Sequence, residues 1–117
     1  MKTTKEIIKS YLIELKNADY KKLESDDLRL INKWKNRIPD GWYGFDGINT
    51  LWGKIIDDFL TELEKECPDF EIHQIKLKYG GLMFYVDLRI KDGRKLRKIE
   101  KEIDKLKETL FSESLIY

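Results

Sequence analysis

The sequence contains few of the residues that build disulfides, nucleophilic sites or membrane spans. Its 117 residues include one cysteine, one histidine and two prolines. A single cysteine, Cys67, cannot form a disulfide within the chain, so we expect a reducing, cytoplasmic setting. No apolar run approaches the roughly 20 residues of a transmembrane helix, so we expect no membrane association. Neither Cys67 nor His73 has the neighbours of a catalytic or metal site. We therefore expect no catalytic residue, metal or cofactor.

The composition is typical of one folded domain. Hydrophobic residues make up 41% of the chain and charged residues 38%, which is too apolar and too well mixed for a disordered protein. The length suits a single core. We predict one domain over residues 1–117, in which residues 1–38 form an N-terminal helical extension and residues 39–112 form a helix–hairpin–helix core.

The net charge of +1 hides three blocks of alternating sign. Residues 1–39 carry ten Lys/Arg and six Asp/Glu (+4), residues 40–71 carry two and nine (−7), and residues 72–117 carry eleven and seven (+4). Blocks of opposite sign favour packing against each other within the domain, and an acidic surface for a basic partner is the alternative. An acidic stripe at helical spacing within the second block is expected to be a solvated face that partly docks on the basic last helix; it comprises Asp57, Asp58, Glu62 and Glu66.

Apolar spacing and capping residues predict about four helices. The first begins after Thr3, the second after Ser25, the third at Asp46 or Asn49, and the last after Gly93. A glycine inside the third helix indicates close packing against a neighbour. The predicted apolar stripes are Ile7, Ile8, Tyr11, Leu12 and Leu15 in the first helix; Leu28, Ile31, Trp34 and Ile38 in the second; Ile48, Leu51, Trp52, Ile55, Ile56, Phe59, Leu60 and Leu63 in the third; and Leu96, Ile99, Ile103, Leu106 and Leu110 in the last.

Residues 75–86, IKLKYGGLMFYV, have the alternation of two strands joined at Gly80-Gly81. A two-residue turn there places Leu77 opposite Phe84. Together with the helices, this antiparallel hairpin, extended or not by a short third strand, predicts an α+β fold. The predicted core face comprises His73, Ile75, Leu77, Tyr79, Leu82, Phe84, Val86 and Leu88, and the outer face comprises Gln74, Lys76, Lys78, Met83, Tyr85 and Asp87.

The segments PDGWY (residues 39–43) and HQIKLKYGGLMFYV (residues 73–86) are similar to a group of small uncharacterised phage and bacterial proteins. The pattern of that group is GWY, an amphipathic helix, a QIKEKFGGLRFY hairpin and a final helix. The resemblance covers residues 38–112 and implies a phage or mobile-element setting, without an assigned chemistry. Leu77 and Met83 stand where the group has glutamate and arginine, and this chain lacks the cysteine-rich, metal-binding tail of many members.

The outer hairpin face is the best candidate for a binding surface. Its lysines and aromatic side chains suit a phosphate with a stacked base, or an acidic protein patch, and a solvated face with lysines that protect a sheet edge is the alternative. The aromatics of the glycine-rich loop at residues 41–47 either contact a ligand or plug the core. Because Met83 replaces the arginine of the group, a protein partner is favoured over a nucleotide or nucleic acid. The candidate binding residues are Lys76, Lys78, Met83, Tyr85, Trp42 and Tyr43.

We therefore expect a non-enzymatic accessory protein of a phage or mobile element, one that inhibits a host defence system by binding a protein or nucleotide signal. The alternatives are a small nucleic-acid-binding regulator and an enzyme of unrecognised type. The apolar C-terminal residues predict a homodimer or a tail bound to a partner; they are Phe111, Leu115, Ile116 and Tyr117.

Overall fold

The predicted α+β class is confirmed by a computed structural model, which describes residues 1–114 and the side chains of residues 1–111. The described residues form five α-helices, a 3₁₀ turn and a three-stranded mixed sheet. In chain order the elements are α1 (Thr4–Lys9), α2 (Leu12–Asn17), α3 (Asp27–Trp34), the 3₁₀ turn (Lys35–Arg37), β1 (Gly44–Asp46), α4 (Thr50–Glu66), β2 (Glu71–Lys78), β3 (Gly81–Asp87) and α5 (Gly93–Ser114). No helix of residues 1–114 is long and apolar enough to cross a membrane.

The sheet has the order β1-β2-β3, so β2 is its central strand. The short strand added to the hairpin is β1, which comes first in the chain. It pairs with β2 in parallel, with Phe45 beside Ile75. Two adjacent parallel strands need a crossover connection, and here α4 provides it. The result is a βαβ unit with a hairpin added at the second strand.

The hairpin turn lies one residue earlier than the sequence analysis predicts. Tyr79 and Gly80 form the turn, with φ angles of 54° and 76°, and Lys78 pairs with Gly81. Positive φ at both central residues is the requirement of a type I′ turn, whose twist matches the flanking strands. The predicted register is therefore wrong, and Leu77 lies opposite Leu82 rather than Phe84.

The shifted turn changes the cross-strand partners of the hairpin residues but leaves most side chains on the predicted face of the sheet. Moving the turn by one residue shifts every cross-strand partner by two, and alternate residues of a strand share a face. Lys76 therefore stays on the outer face, opposite Met83. Three predicted core residues are exceptions: Tyr79 is 91% exposed in the turn, Leu77 is 42% exposed at the rim of the core, and His73 lies at a β-bulge.

The helix α4 forms the centre of the core. Asn49 caps it by accepting a hydrogen bond from the Trp52 backbone N–H at 2.8 Å, and it ends at Glu66, with Cys67 as the C-cap before Pro68. The Phe59 ring meets the Phe84 ring edge-on at a centroid distance of 5.7 Å, which joins α4 to β3. The fully buried positions of α4 are Trp52, Ile55, Ile56, Phe59, Leu60 and Leu63, as the predicted stripe requires.

The N-terminal segment packs on this core. The predicted capping box between Thr3 and Glu6 is present, but the first helix is divided in two, and α1 ends before Ser10. Helix α1 contacts both α4 and α5. The Thr4 backbone N–H donates to Glu102 Oε1 at 2.8 Å, and the Thr4 hydroxyl donates to the Glu102 carbonyl at 2.7 Å. Buried hydrogen bonds therefore attach residues 1–38 to the last helix.

Two of the predicted apolar positions, Leu28 and Phe111, are exposed. In α3 the inward residue is Leu30, which is fully buried, whereas Leu28 is 73% exposed and does not belong to the apolar stripe. Phe111 is 43% exposed and its ring lies against Gly81 at the start of β3. The rest of the predicted apolar tail, residues 115–117, lies outside the described residues.

Candidate functional site

Five of the six candidate binding residues come together beside one face of the sheet. In β2 and β3 the residues Lys76, Lys78, Met83 and Tyr85 share the face opposite to that of the buried Ile75. Lys76 and Met83 are direct cross-strand partners, as are Gln74 and Tyr85. In β1, Asp46 is the register partner of Lys76. We call this surface, made by Asp46, Gln74, Lys76, Lys78, Met83 and Tyr85 together with the adjacent Trp42 and His73, the open face.

Trp42 is fixed at the open face by a stacked ring. Its indole lies parallel to the His73 imidazole, with ring centroids 4.4 Å apart and an interplanar angle of 6°. About half of the Trp42 surface remains exposed. The next residue, Tyr43, is 74% exposed. Tyr43, the sixth candidate residue, therefore has most of its surface in solvent and is not held on the open face by a ring contact as Trp42 is.

His73 is a site residue that the sequence analysis placed wrongly. It is the extra residue of a β-bulge, since Ile72 pairs with Val86 and Gln74 with Tyr85. A bulge interrupts the strict alternation of faces on which the predicted core position of His73 depends. His73 is partly exposed and stacks on Trp42 instead of lying in the core. No local pattern marks a bulge in this strand, so the displacement of His73 is visible only in the folded sheet.

Charges on and around the open face cancel. Three cations, Lys76, Lys78 and Arg89, lie on or beside this surface with three carboxylates, which are those of Asp46, Glu71 and Asp87. The Arg89 guanidinium binds Glu71 at 2.6 Å and approaches Asp87 at 3.7 Å. A surface without net charge creates no strong field for a polyanion. Its exposed aromatic side chains and the partly exposed Met83 are instead of the residue types enriched at protein interfaces.

One cluster near the open face has the side chains of a metal site. Glu71, His73 and Asp87 each offer a ligand atom, and these atoms lie within 4.8 Å of one another. Arg89 already supplies a cation to Glu71 at hydrogen-bond distance. A metal ion would have to displace that guanidinium, so the cluster is better explained as an Arg-neutralised carboxylate pair beside the Trp42–His73 stack.

The predicted acidic face is divided between the interior and the surface. Asp57 and Glu62 are less than 9% exposed, which contradicts the expectation of a solvated stripe for these two residues. Asp58 is exposed and accepts a hydrogen bond from the Tyr11 hydroxyl. Glu66 pairs with Lys95 of α5 at 3.5 Å, as expected for docking on the basic last helix. The stripe therefore holds the fold together rather than forming a separate binding surface.

Asp57 is the centre of a buried ion cluster. Its carboxylate accepts hydrogen bonds from Trp34 Nε1 at 3.0 Å, Arg29 Nη1 at 3.0 Å and Lys33 Nζ at 2.9 Å. Burial alone raises the pKa of Asp57, but the bonds from Lys33 and Arg29 outweigh it, and its pKa lies below the ordinary value of 3.8. Each cation also faces solvent. The cluster is a satisfied structural network.

Cys67 and Tyr11 are held in their neutral forms. Burial raises the pKa of the Cys67 thiol, which disfavours the nucleophilic thiolate. Burial and the hydrogen bond to Asp58 raise the pKa of the Tyr11 hydroxyl. Neither group has the lowered pKa of an activated nucleophile.

Comparisons with protein-family models, with curated proteins and with solved structures found no match to this chain.

Proposed function

We propose that the protein is a non-enzymatic binding protein that recognises a protein partner through the open face. The observation that carries the proposal is the exposure of Trp42 and Tyr85, beside the partly exposed Met83, on a surface whose charges cancel. Tyr, Trp and Met supply a large contact area at interfaces, and balanced charges fix orientation and exclude wrong partners.

The proposed setting is the cytoplasm of a bacterium that carries a phage or mobile element, where the bound partner is a component of a host defence system. This part of the proposal rests on the hairpin resemblance and on the single, buried cysteine. An accessory protein that blocks a partner needs a surface and no catalytic group. The open face supplies such a surface.

Site-specific photocrosslinking tests the proposal. A photoreactive phenylalanine analogue replaces Tyr85 on the open face, and in a control protein it replaces Lys101, an exposed residue of α5. Irradiation in host cells should link one defined host protein to position 85 and not to position 101. If the same host proteins were crosslinked at both positions, recognition through the open face would be contradicted.

Charge reversal provides a matched second test. The double variant K76E/K78E should reduce crosslinking at least about tenfold, because like charges placed across an interface cost several kcal/mol. The control K5E/K101E makes the same change in net charge on two exposed helical positions and should leave crosslinking unchanged. Exposed substitutions of this kind change stability by about 0.5 kcal/mol or less, so melting temperatures should stay close together. Full crosslinking by K76E/K78E would refute the role of the lysines.

The same aromatic residues support one other function, binding of single-stranded nucleic acid. Tyr85 lies diagonally across from Lys76, and bases stack on aromatic side chains while lysines neutralise phosphates. Fluorescence anisotropy with labelled oligo(dT) at several salt concentrations separates the two functions. If Lys76 and Lys78 neutralise two phosphates, log K should fall with log salt at a slope of about −1.4, twice the −0.7 for each phosphate. The absence of binding favours the protein partner.

A further inference from the structure

A cleft between the N-terminal segment and the start of α5 has an unbalanced positive charge. Its volume is about 320 Å³, and it is lined by Lys2 and Thr3 on one side, by Glu66 at the end of α4, and by residues of α5 on the other. The charged lining residues of α5 are Arg94, Lys95, Lys98 and Glu102. The side chains that line it comprise four cations, Lys2, Arg94, Lys95 and Lys98, and two carboxylates, Glu66 and Glu102, which leaves a net charge of +2.

The two carboxylates are already occupied by other groups. Glu66 pairs with Lys95 at 3.5 Å. Glu102 accepts the Thr4 backbone N–H at 2.8 Å and pairs with Lys105 at 3.3 Å. These bonds lower the pKa of Glu102 against the effect of its burial, so the carboxylate stays ionised and committed.

Arg94 and Lys98 are not neutralised. Among the residues whose side chains are described, neither forms a salt bridge, and both line the cleft. They are four residues apart in α5, so they project from the same side of the helix, where like charges repel. An anion in the cleft would relieve this repulsion.

Such an anion would be bound by the side chains of Arg94 and Lys98 and not by the backbone N–H groups at the start of α5. Asp92 Oδ1 already accepts the backbone N–H groups of Arg94 and Lys95, at 3.0 and 3.4 Å. The buried side chain of Ile99 adds an apolar wall to the same cleft. A volume near 300 Å³ is the lower limit of ordinary small-molecule sites and suits a molecule of about the size of a mononucleotide.

We propose that this cleft binds a small phosphomonoester, with the phosphate held by Arg94 and Lys98 and the uncharged body against Ile99. Arg and Lys are the side chains that bind phosphate, and hydrogen bonds between two charged groups are about twice as strong as neutral ones. The cleft shares no residue with the open face, so this site is independent of the proposed function.

Isothermal titration calorimetry of the full chain with AMP, CMP, GMP and UMP tests the site, with adenosine and inorganic phosphate as partial ligands. At least one nucleoside monophosphate should bind at least about tenfold more tightly than inorganic phosphate, and adenosine should bind more weakly than AMP, because each lacks one half of the contacts. Equal affinity for phosphate and all four nucleotides, or no binding at all, would overturn the proposal.

Two double variants of α5 with the same charge change locate the site. R94Q/K98Q should weaken nucleotide binding at least about tenfold, because it removes two charge-assisted hydrogen bonds. R97Q/K101Q alters two exposed residues with the same spacing outside the cleft, and K76E/K78E alters the open face; both should keep wild-type affinity. A loss in R97Q/K101Q as large as that in R94Q/K98Q would show attraction by the overall charge and would refute a built site.

Discussion

The carboxylate of Asp26 lies directly against the Cα atom of Gly53, so closely that a Cβ atom at position 53 would overlap it. Asp26 is 7% exposed and binds Arg29 through both of its oxygens, at 2.8 and 2.6 Å. This contact is the physical reason for a glycine in the middle of α4. The close approach predicted from that glycine is confirmed.

Gly53→Ala should destabilise the protein, although the same change in an open helix stabilises by about 1 kcal/mol. The added methyl group must displace Asp26 from the bidentate pair with Arg29, and we expect a loss of about 2–3 kcal/mol in the free energy of unfolding. Urea denaturation measures it. Gly93→Ala, where the nearest atom is the Arg97 side chain at 3.5 Å, is the matched control and should be nearly neutral. A stabilised Gly53→Ala variant would contradict the contact.

Tyr79→Asn should stabilise the hairpin. Tyr79 has a φ angle of 54° and is 91% exposed, so its ring contributes little packing while its backbone is held in a region unfavourable to tyrosine. Asn-Gly is the preferred pair for a type I′ turn, and we expect a gain of about 0.5–1 kcal/mol in urea denaturation. The predicted turn at Gly80-Gly81 implies the opposite, since Tyr79 would then be a core residue.

Local sequence pattern was sufficient for the long helices and for most of the two faces of the hairpin. Apolar spacing located α4 and α5, and Asn49 marked the cap of α4 because capping is a local interaction. Strand β1 was harder to predict because it is only Gly44–Asp46, too short for alternation, and its partner lies about 30 residues later in the chain. The His73 bulge and the Trp42 stack depend on that long-range pairing, and they could not be read from local pattern.

The free energy of unfolding should decrease in acid because of three carboxylates. The pKa values of Asp57, Glu62 and Glu102 lie below their ordinary values of 3.8, 4.5 and 4.5. Their unfolded forms therefore bind protons at higher pH than their folded forms do, and unfolding takes up protons. We expect the stabilisation to be complete above about pH 5 and to decrease as the pH falls through 4.5 and then through the folded pKa values. Chemical denaturation between pH 2 and 7 measures the curve.

Asp57→Asn isolates one of these carboxylates. At pH 7 it should lower the free energy of unfolding by about 2–3 kcal/mol, because Arg29 and Lys33 lose their charged acceptor. The difference from the wild type should shrink as the pH falls and Asp57 takes up a proton. Asp69→Asn changes an exposed carboxylate and should leave the curve nearly unchanged. A pH dependence in Asp57→Asn as steep as that of the wild type would exclude Asp57 as a source of acid sensitivity.

The stack of Trp42 on His73 should appear as a coupling energy. In a double-mutant cycle with Trp42→Ala and His73→Ala, we expect the two changes to be non-additive by about 0.5–1.5 kcal/mol in urea denaturation, the range for paired aromatic rings. Trp42→Ala paired with Tyr79→Ala, at the far end of the hairpin, should be additive within about 0.5 kcal/mol. Additivity of the Trp42–His73 pair would mean that the loop is not held on the sheet. The open face would then lose its largest aromatic side chain, and recognition would have to depend on Met83 and Tyr85.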